Sequence, residues 1–424
     1  MTTPAANAAP PRLSWNKIGI LTVLYLVQGL PFGFLIGTFP MFLKSQGMSL
    51  AKITFISVVN FPWLIKFLWA PLADKYFFPK LGRRRSWIIP AQAALIVALI
   101  VTGLLSPSLS LLGLMAMLSL VNFCAATQDI AVDGLAVDIL DEHERGVGNS
   151  VQAAAYKIGM IGGGYGLTAY FTQLGIQGCF YVMAAAVAVA MLVPIFLREP
   201  PPPPLVSEAE SQHRHTAVLS LIMGLFTRQG AVVFLLMVVL SKAGDSIANP
   251  LFRLFLLDRK LTWDQVNLSM NIGGMIATLV GSAICGFVIM RLGRRHALWM
   301  TILGQGLSHL GWAVLAAWGL SLTSVWGIAL VEHFVSGMLT VVIFTLMMDA
   351  VRPEVGSAQY TLLMSIYIGV GFGLGLVAGS VAQFFGWQVA FGVAGVSTLC
   401  CLFLVVPLDR LGYLDGKRPE LPAG

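Results

Sequence analysis

The chain has 424 residues, of which 57% are hydrophobic and 11% are charged, whereas soluble proteins carry about 25% charged residues. This composition excludes a string of ordinary soluble domains and predicts a membrane protein. The net charge of +7 alone would allow nucleic-acid binding, but the basic residues concentrate in alternate loops, which instead indicates membrane topology. We therefore expect a lipid bilayer around the chain and no nucleic-acid partner.

The first apolar run, residues 18–43, is too long for the hydrophobic region of a signal peptide. We therefore interpret it as a membrane helix rather than a cleaved leader. The five cysteines lie in apolar runs without CxxC or Cys/His spacing, which predicts buried thiols, no disulfide framework and no metal site. They are Cys124, Cys179, Cys285, Cys400 and Cys401. We expect no cofactor.

Apolar runs long enough to cross a bilayer, which takes about 20 residues, recur along the whole chain. We count twelve, named span 1 to span 12, with centres near residues 30, 60, 97, 122, 160, 186, 243, 276, 307, 336, 371 and 397. One long polar stretch containing "REPPPPPLVSEAESQHRHT" separates span 6 from span 7. The prediction is an all-α membrane protein with an N-terminal six-helix half (1–197), a cytoplasmic linker (198–217) and a C-terminal six-helix half (218–424).

Lysine and arginine residues lie mostly in the loops on one side of this predicted bundle. Loops 75–85 and 291–295 hold several each, whereas the opposite side holds few, mainly at 44–52 and 253–260. The positive-inside rule makes the basic side cytoplasmic, and both termini then lie in the cytoplasm.

The two halves resemble each other. "FLKSQGMSLAKI" (42–53) joins span 1 to span 2, and "FLLDRKLTWDQV" (255–266) joins span 7 to span 8. Phe42/Phe255, Leu43/Leu256, Ser49/Thr262 and Ile53/Val266 fall in register. Repeated halves are typical of alternating-access transporters, whose solute site lies between the halves near the midplane.

A loop pattern of the form G-x-x-x-D-R-x-G-R-R, the major facilitator loop motif, follows span 2 and span 8 in modified form. In the first half, Ala70 takes the place of the first Gly, Asp74 is followed by Lys75, and six residues precede Gly82, Arg83 and Arg84. In the second half, Met290 replaces the Asp. Asp74 is expected to accept hydrogen bonds from basic residues or a helix N-terminus and to latch the cytoplasmic side. Asp74, Arg83, Arg84 and Arg145 are the predicted gating residues; the alternative is simple membrane anchoring by the basic loops.

Polar residues inside the spans concentrate on spans 1, 2, 4, 5, 7 and 10, whereas spans 3, 6 and 12 are nearly devoid of them. Ionisable groups in a membrane usually face a protein interior or an aqueous cavity and mark transport pathways. The candidate substrate-binding or proton-coupling residues are Gln28, Lys66, Asn122, Gln128, Asp129, Asp133, Lys157, Lys242, Asp245 and Glu332. The alternative is a set of structural charge pairs that hold the helices together.

Asp129 and Asp133 are one helical turn apart on the same face of span 4. Like charges at this spacing disfavour double ionisation, so at least one of the two is expected to carry the coupled proton. Lys66, Lys157 and Lys242 are the basic residues available to neutralise these carboxylates.

Seven segments resemble the AmpG-like branch of the major facilitator superfamily, which contains peptide, acetyl-CoA and siderophore transporters. They are "YLVQGLPFGFL", "FPWLIKFLWAPLADKY", "LGRRRSW", "ATQDIAVDGLAVDIL", "ERG", "KAGDSIANPLFRLFLL" and "SAQYTLL". The resemblance implies a proton-coupled transporter, not an enzyme, that moves a bulky polar solute across the bacterial inner membrane as a monomer. "DGLAVDIL" departs from the muropeptide permeases, which have an aromatic residue and an Arg after the second Asp, and looks closer to the siderophore permeases.

Two alternatives stay open beside muropeptide or siderophore uptake. The first is a transporter or exchanger of acetyl-CoA or another anionic metabolite. The second is an intramembrane aspartyl protease, which also uses two membrane Asp residues but places GxGD and PAL sequences on separate helices. Here "KAGD" lacks the first Gly, PAL is absent, and Asp129 and Asp133 share one helix.

Overall fold

The computed structural model describes residues 13–48, 59–105, 110–201, 214–319 and 321–417, and these residues form helices and the turns between them. The first part of span 2, with Ser49, Lys52 and Ile53, and most of the predicted linker lie outside the described residues. The proposed boundaries of the linker therefore stay a prediction.

The N-terminal half contains spans 1 to 6. Span 1 is Trp15–Ile36, continued by Thr38–Ser45, and span 2 is built from Phe61–Ile65, a 3₁₀ turn Lys66–Leu68 and Ala70–Lys75. Span 3 is Arg85–Leu105 and span 4 is Leu111–Ile139. Span 5 is Arg145–Ile161, continued by a π-helical turn Gly162–Gly166 and by Leu167–Ala169, and span 6 is Phe171–Phe196.

The C-terminal half begins with a linker helix, Arg214–Thr227, followed by span 7, Ala231–Asp258. Span 8 starts as Trp263–Val266 and the π-helical stretch Asn267–Gly273. It runs into Gly274–Trp318, which also contains span 9. Span 10 is Leu322–Ala350, span 11 is Gly356–Phe385 after a 3₁₀ turn Pro353–Val355, and span 12 is Trp387–Cys400 with Leu402–Arg410.

Nine helical segments of the described chain are long and apolar enough to cross a membrane. One of them, Trp263–Trp318, has 56 residues and at 1.5 Å per residue would be roughly 80 Å long, far more than a bilayer core of about 30 Å. Gly293 breaks it with φ 79° and ψ 166°, so it supplies spans 8 and 9. Span 2 is only partly described and span 5 starts with several polar residues. The all-helical membrane fold is confirmed, and twelve spans are consistent with it.

The two halves share one hydrophobic core at one end of the bundle and have separate cores at the other. The shared core packs Leu135 and Val147 of the N-terminal half with Met347 and Leu363 of the C-terminal half. At the opposite end, one core surrounds Phe34 and Phe180, and another surrounds Phe252, Trp312 and Phe391. The bundle is therefore closed at one end and divided at the other.

We call the closed end the basic end; it contains the loops 76–84, 140–144 and 351–355 and the segment 411–417. Both ends of the described chain lie there: the Ser14 N–H donates to Glu144, and the Arg145 side chain donates to the Gly416 carbonyl. The linker helix also packs there, since Ile222 contacts Val355 and Ala358.

Span 1 and span 5 pack with their backbones in contact. A Cβ atom at Gly159 would lie 1.9 Å from the Leu26 carbonyl oxygen, and one at Gly163 would lie 2.0 Å from that of Leu30. The first Gly-rich run, 159–166, therefore serves close packing, as expected for small residues in membrane helices. In the Gly-rich run 369–375 of span 11, a Cβ atom would meet nothing closer than 3.5 Å, so close packing does not require these glycines in this conformation.

Four of the cysteines are buried as expected, and Cys400 on span 12 is exposed. Its position on the outer surface of the bundle places its thiol toward lipid instead of the protein core. The expectation of burial was wrong for this residue because an apolar environment in a membrane protein includes the lipid side.

Candidate functional site

A cavity of about 370 Å³ lies between the halves, where the shared core at the basic end gives way to the two separate cores. Spans 1, 2, 4 and 5 form one wall, and spans 8, 10 and 11 form the other. Seven aromatic rings line the cavity: Tyr25, Phe32, Trp63, Tyr156, Phe344, Tyr367 and Phe372. Three of them, Phe32, Trp63 and Tyr156, form a cluster with centroid separations of 6.1 to 6.4 Å.

Lys66 and Asp129 form an ion pair in the wall of this cavity. The described part of span 2 is interrupted before Pro71, and Lys66 lies in the 3₁₀ turn between the short helices Phe61–Ile65 and Ala70–Lys75. The ammonium group also lies 5.3 Å from the Trp63 ring, a cation–π distance. The pair is almost fully buried, so each charge is compensated mainly by the other.

Asn122 acts on the cavity through Trp63 and does not line it. Its amide oxygen accepts a 2.9 Å hydrogen bond from the indole N–H of Trp63, and its amide nitrogen donates to the Leu118 carbonyl. Asn122 thereby fixes the orientation of one aromatic wall residue.

Asp133 lies on the basic-end side of Asp129 and is completely buried. Its Oδ1 atom accepts hydrogen bonds from the Tyr25 hydroxyl at 2.9 Å and from the Gln152 amide at 3.0 Å. Tyr25 and Gln152 line the cavity, and Asp133 lies directly behind them without lining it. Asp129 is paired with a lysine and Asp133 with neutral donors, so the two carboxylates do not form the shared-proton dyad that an aspartyl protease needs.

Lys157 of span 5 lines the cavity and forms no hydrogen bond or ion pair with the described part of the chain. Lys242 and Asp245 of span 7 lie behind the opposite wall as a 2.5 Å ion pair, with the Lys242 ammonium 5.2 Å from the Tyr367 ring. Lys157 lies within electrostatic reach of both. The cavity therefore presents one cation that is not committed to a protein carboxylate.

The remaining candidates lie inside the halves. Gln28 and Gln128 are buried, and their amide atoms have no hydrogen-bond partner among the described residues. Glu332 is buried in the C-terminal half, where it accepts a 2.9 Å hydrogen bond from Gln305 and lies 2.6 Å from His333. His309 contacts the same group at 3.8 Å. Glu332 thus belongs to a buried polar network, away from the cavity wall.

Asp74 is the centre of the contacts that join the halves at the basic end. It accepts hydrogen bonds from Arg83 at 2.8 Å and Arg84 at 2.7 Å. It also accepts from the N–H groups of Ser357 and Ala358 at the start of span 11, where a helix N-terminus favours a negative charge. Arg83 in turn donates to the carbonyls of Pro353 and Glu354.

A second group of contacts crosses the same end. Arg145 of the N-terminal half and Arg294 of the C-terminal half both bind Asp349 at 2.6 Å. Arg84 binds Asp138 at 2.6 Å in the corresponding place of the first half. The two pairs are related by the internal repeat: Arg84 and Arg294 are 210 positions apart, and Asp138 and Asp349 are 211 positions apart.

Asp138 and Asp349 were not among the predicted gating residues. Each is the Asp near the end of span 4 or span 10, in "VDIL" and "MDAV", so aligning the halves beyond the loop motif would have indicated them. The cavity aromatics and Tyr360 were missed as well, because a neutral aromatic residue carries no charge that would make it stand out in a membrane span.

The arginines at the basic end remain charged at any physiological pH. Burial lowers the pKa of Arg84, but the carboxylates of Asp138 and Asp74 outweigh burial and hold that pKa above its usual value. Burial and the neighbouring Arg84 charge lower the pKa of Arg83, which as a guanidinium stays protonated. The guanidinium groups of Arg83 and Arg84 consequently act as fixed positive charges.

A helical bundle of two repeated halves, closed at one end around a polar and aromatic cavity, defines a secondary transporter of the major facilitator class. Residues 21–367 and, in a second match, residues 234–420 fit the family model of the Major Facilitator Superfamily. The chain is 32% identical over 417 residues to the anhydromuropeptide permease of Escherichia coli strain K12, covering 96% of this chain and 84% of the relative. The chain belongs to the major facilitator superfamily, and within it to the AmpG-like branch of that permease.

Two solved structures share the fold. The crystal structure of a bacterial homologue of the iron transporter ferroportin in an outward-facing state matches with a TM-score of 0.70 at 16% identity, covering 94% of this chain and all of the other. The human organic anion transporter TETRAN matches with a TM-score of 0.66 at 16% identity, covering 93% of this chain and all of the other. The predicted fold and branch are confirmed.

Proposed function

We propose that the protein takes up an anhydromuropeptide-type solute across the bacterial inner membrane by proton-coupled alternating access, with the basic end and both termini in the cytoplasm. The relative named above supports the solute class, and the basic loops support the orientation. A single chain encloses the cavity, so the monomer is the proposed working unit. With the basic end closed, we assign this conformation to the outward-facing state of the transport cycle.

The observation that carries this proposal is Lys157, which has no hydrogen bond or ion pair among the described residues and lies in a cavity walled by aromatic rings. An anhydromuropeptide combines sugar rings with peptide carboxylates. Aromatic faces carry partial negative charge and attract the C–H groups of a sugar ring. Lys157 is the group available to bind a carboxylate, since Lys66 and Lys242 already have their own carboxylate partners.

Asp129 and Asp133 are the proposed proton-carrying residues. Asp129 lies at the cavity surface and Asp133 is one turn closer to the closed end, so the two are placed in sequence between the cavity and the cytoplasmic side. Lys66 competes with a proton for Asp129, whereas the described residues that hydrogen-bond to Asp133, Tyr25 and Gln152, are neutral.

Purified protein in liposomes tests the solute class. We expect saturable uptake of a labelled disaccharide–tripeptide, and neither uptake of nor competition by a ferric siderophore or acetyl-CoA. Transport of either of those two instead of the muropeptide would overturn the assignment.

Lys157→Gln tests the proposed anion contact, with Lys80→Gln as the matched control at an exposed lysine of loop 76–84. A charge-assisted hydrogen bond contributes about 1.5–3 kcal/mol, so Lys157→Gln should raise the KM for the muropeptide by roughly tenfold or more. Lys80→Gln should leave KM unchanged. Equal KM values for both variants would remove Lys157 from the binding site.

A further inference from the structure

We propose that Gln152 and Tyr360 are positioning residues that link the charge of Asp133 to closure of the basic end. An ionised Asp133 holds the halves together, and a neutral Asp133 releases them. This inference rests on the proposed function, to which it adds the route from protonation to opening.

The link begins with the orientation of Gln152. An ionised carboxylate only accepts hydrogen bonds, so Gln152 must present its NH₂ group to Asp133, at 3.0 Å. The amide oxygen then faces away and accepts a 3.1 Å hydrogen bond from the Tyr360 hydroxyl. Because Tyr360 belongs to span 11 and Gln152 to span 5, this short chain of contacts crosses from one half to the other.

The Tyr360 hydroxyl has a second acceptor within reach. The amide oxygen of Asn149 lies 3.3 Å away, and a phenol has a single proton to donate. The amide nitrogen of Asn149 donates a 2.8 Å hydrogen bond to the Arg145 carbonyl. Tyr360 can therefore donate to Gln152 or to Asn149, and an ionised Asp133 favours the bond to Gln152 because it polarises that amide. The contact to Asn149 also joins span 11 to span 5, but it is longer, so the halves are held more weakly when Asp133 is neutral.

Tyr360 is placed where this choice affects closure. It follows Ser357 and Ala358, whose N–H groups bind Asp74, by less than one helical turn. Asn149 is one turn from Arg145, which binds Asp349 across the halves. A change at Tyr360 thus acts directly on the helices that carry both groups of closing contacts.

In the row of contacts Asp133–Gln152–Tyr360, Asp133 is the group that can change its charge. The ionisable groups facing it are Tyr25 on span 1, Lys66 on span 2, Asp129 on span 4 and Tyr360 on span 11, and Gln152 faces it from span 5. Lys66 and Asp129 already neutralise each other. A hydrogen bond to an ionised acceptor is about twice as strong as a neutral one, so protonating Asp133 weakens its hold on Gln152.

Distance measurements between spin labels test the link without any solute. Labels at Lys80→Cys and Arg291→Cys, both exposed at the basic end but in different halves, are introduced into a chain whose five native cysteines are replaced by alanine. In lipid nanodiscs, we expect the ratio of long to short distances to rise about two- to tenfold from pH 8 to pH 5, the effect of losing the neutral Tyr360–Gln152 hydrogen bond between the halves.

Three variants separate the link from a general effect of pH. Asp133→Asn, a permanently neutral residue, should give the long-distance population already at pH 8. Gln152→Leu and Tyr360→Phe should remove the pH response. Thr102→Val is the control, because it removes a buried hydroxyl of span 3 whose hydrogen bond goes to the Ala98 carbonyl of the same helix; it should keep the response.

The proposal is overturned if Asp133→Asn stays closed at pH 8 as the parent does, or if Gln152→Leu and Tyr360→Phe respond to pH like the parent. Failure of muropeptide uptake in liposomes, with the label response intact, would instead overturn the proposed function. The two failures are therefore distinguishable.

Discussion

Lys66 and Asp129 show what a charge inside a membrane bundle requires. Both are nearly inaccessible, and they form an ion pair at the wall of the central cavity. Removing one partner of such a pair leaves an uncompensated buried charge, which costs far more than the pair itself contributes. The exposed pair Arg295–Asp409, with side chains 53% and 28% exposed, provides the contrast within the same molecule.

Lys66→Gln is expected to destabilise the protein by about 3–5 kcal/mol, because Asp129 is then left without its counter-ion. Adding Asp129→Asn should recover most of that loss. Arg295→Gln should cost no more than about 1 kcal/mol, since the partner charge stays in water. Thermal unfolding in detergent measures all three; a double variant as unstable as Lys66→Gln would show that charge balance is not the reason.

The ionisable residues of the site could be predicted from the sequence because a charge in an apolar run is costly and therefore stands out. Lys66, Asp129 and Lys157 indeed line the cavity. Their partners could not be predicted in the same way. Trp63 and Tyr360 look like any other aromatic residue of a membrane span, and only the fold shows that they contact Asn122 and Gln152.

At the scale of helices, spans 1 and 5 form the tightest contact of the N-terminal half. Gly29 and Gly33 of span 1 and Gly159 and Gly163 of span 5 let the two backbones touch. This contact holds Tyr25 on span 1 and Gln152 on span 5 at the correct distance from Asp133. Helix packing and the proposed proton site are therefore linked.

Gly159→Ala should destabilise the protein, because its Cβ atom would lie 1.9 Å from the Leu26 carbonyl oxygen and the helices would have to separate. The loss of thermal stability should come with reduced solute uptake. Gly19→Ala is the matched control on span 1, since its Cβ atom meets nothing within 4 Å. Equal stability of the two variants would contradict the packing argument.

Helix breaks were harder to predict than helices. The apolar run around residue 60 predicts one span, but the described part of span 2 is divided into short helices around Pro62 and Pro71. This division places Lys66 in a 3₁₀ turn beside the cavity. Proline in a membrane helix is tolerated where neighbouring groups satisfy the backbone, so the position of the break depends on tertiary contacts that the local sequence does not contain.

At the scale of the whole molecule, the two halves are held together at the basic end by ion pairs and by the shared core. Asp74 and Asp349 each bind two arginines there, and these contacts must break for the basic end to open. The internal repeat supplies the pairs Arg84–Asp138 and Arg294–Asp349, so the second half keeps this contact although Met290 takes the place of Asp74 there.

Arg84→Gln should make the cavity accessible from the basic end, because it removes the contacts to Asp74, Asp138 and Ser357 at once. The readout is alkylation of Met364→Cys, a cavity residue, by a membrane-impermeant maleimide. In inside-out vesicles, labelling should rise several-fold over the parent. Arg295→Gln, which breaks an exposed ion pair within one half, should not change it, and equal labelling in all three would argue against a closing role for Arg84.

Reporter fusions at Lys80 and Lys260 test the orientation of the bundle. Lys80 lies in a loop of the basic end, and Lys260 lies in the turn between spans 7 and 8. We expect the Lys80 fusion to report the cytoplasm and the Lys260 fusion the periplasm. Two reporters on the same side would refute the predicted topology.

The central claim is that a proton moving through Asp129 or Asp133 drives accumulation of the solute. The most direct measurement is uptake of labelled disaccharide–tripeptide into liposomes under an imposed pH gradient, compared with counterflow exchange without a gradient. The parent should concentrate the solute; at least one of Asp133→Asn and the double variant Lys66→Gln/Asp129→Asn, in which no buried charge is left uncompensated, should lose accumulation but keep counterflow and thermal stability. If both variants concentrate the solute as the parent does, the two carboxylates are structural and the claim is wrong.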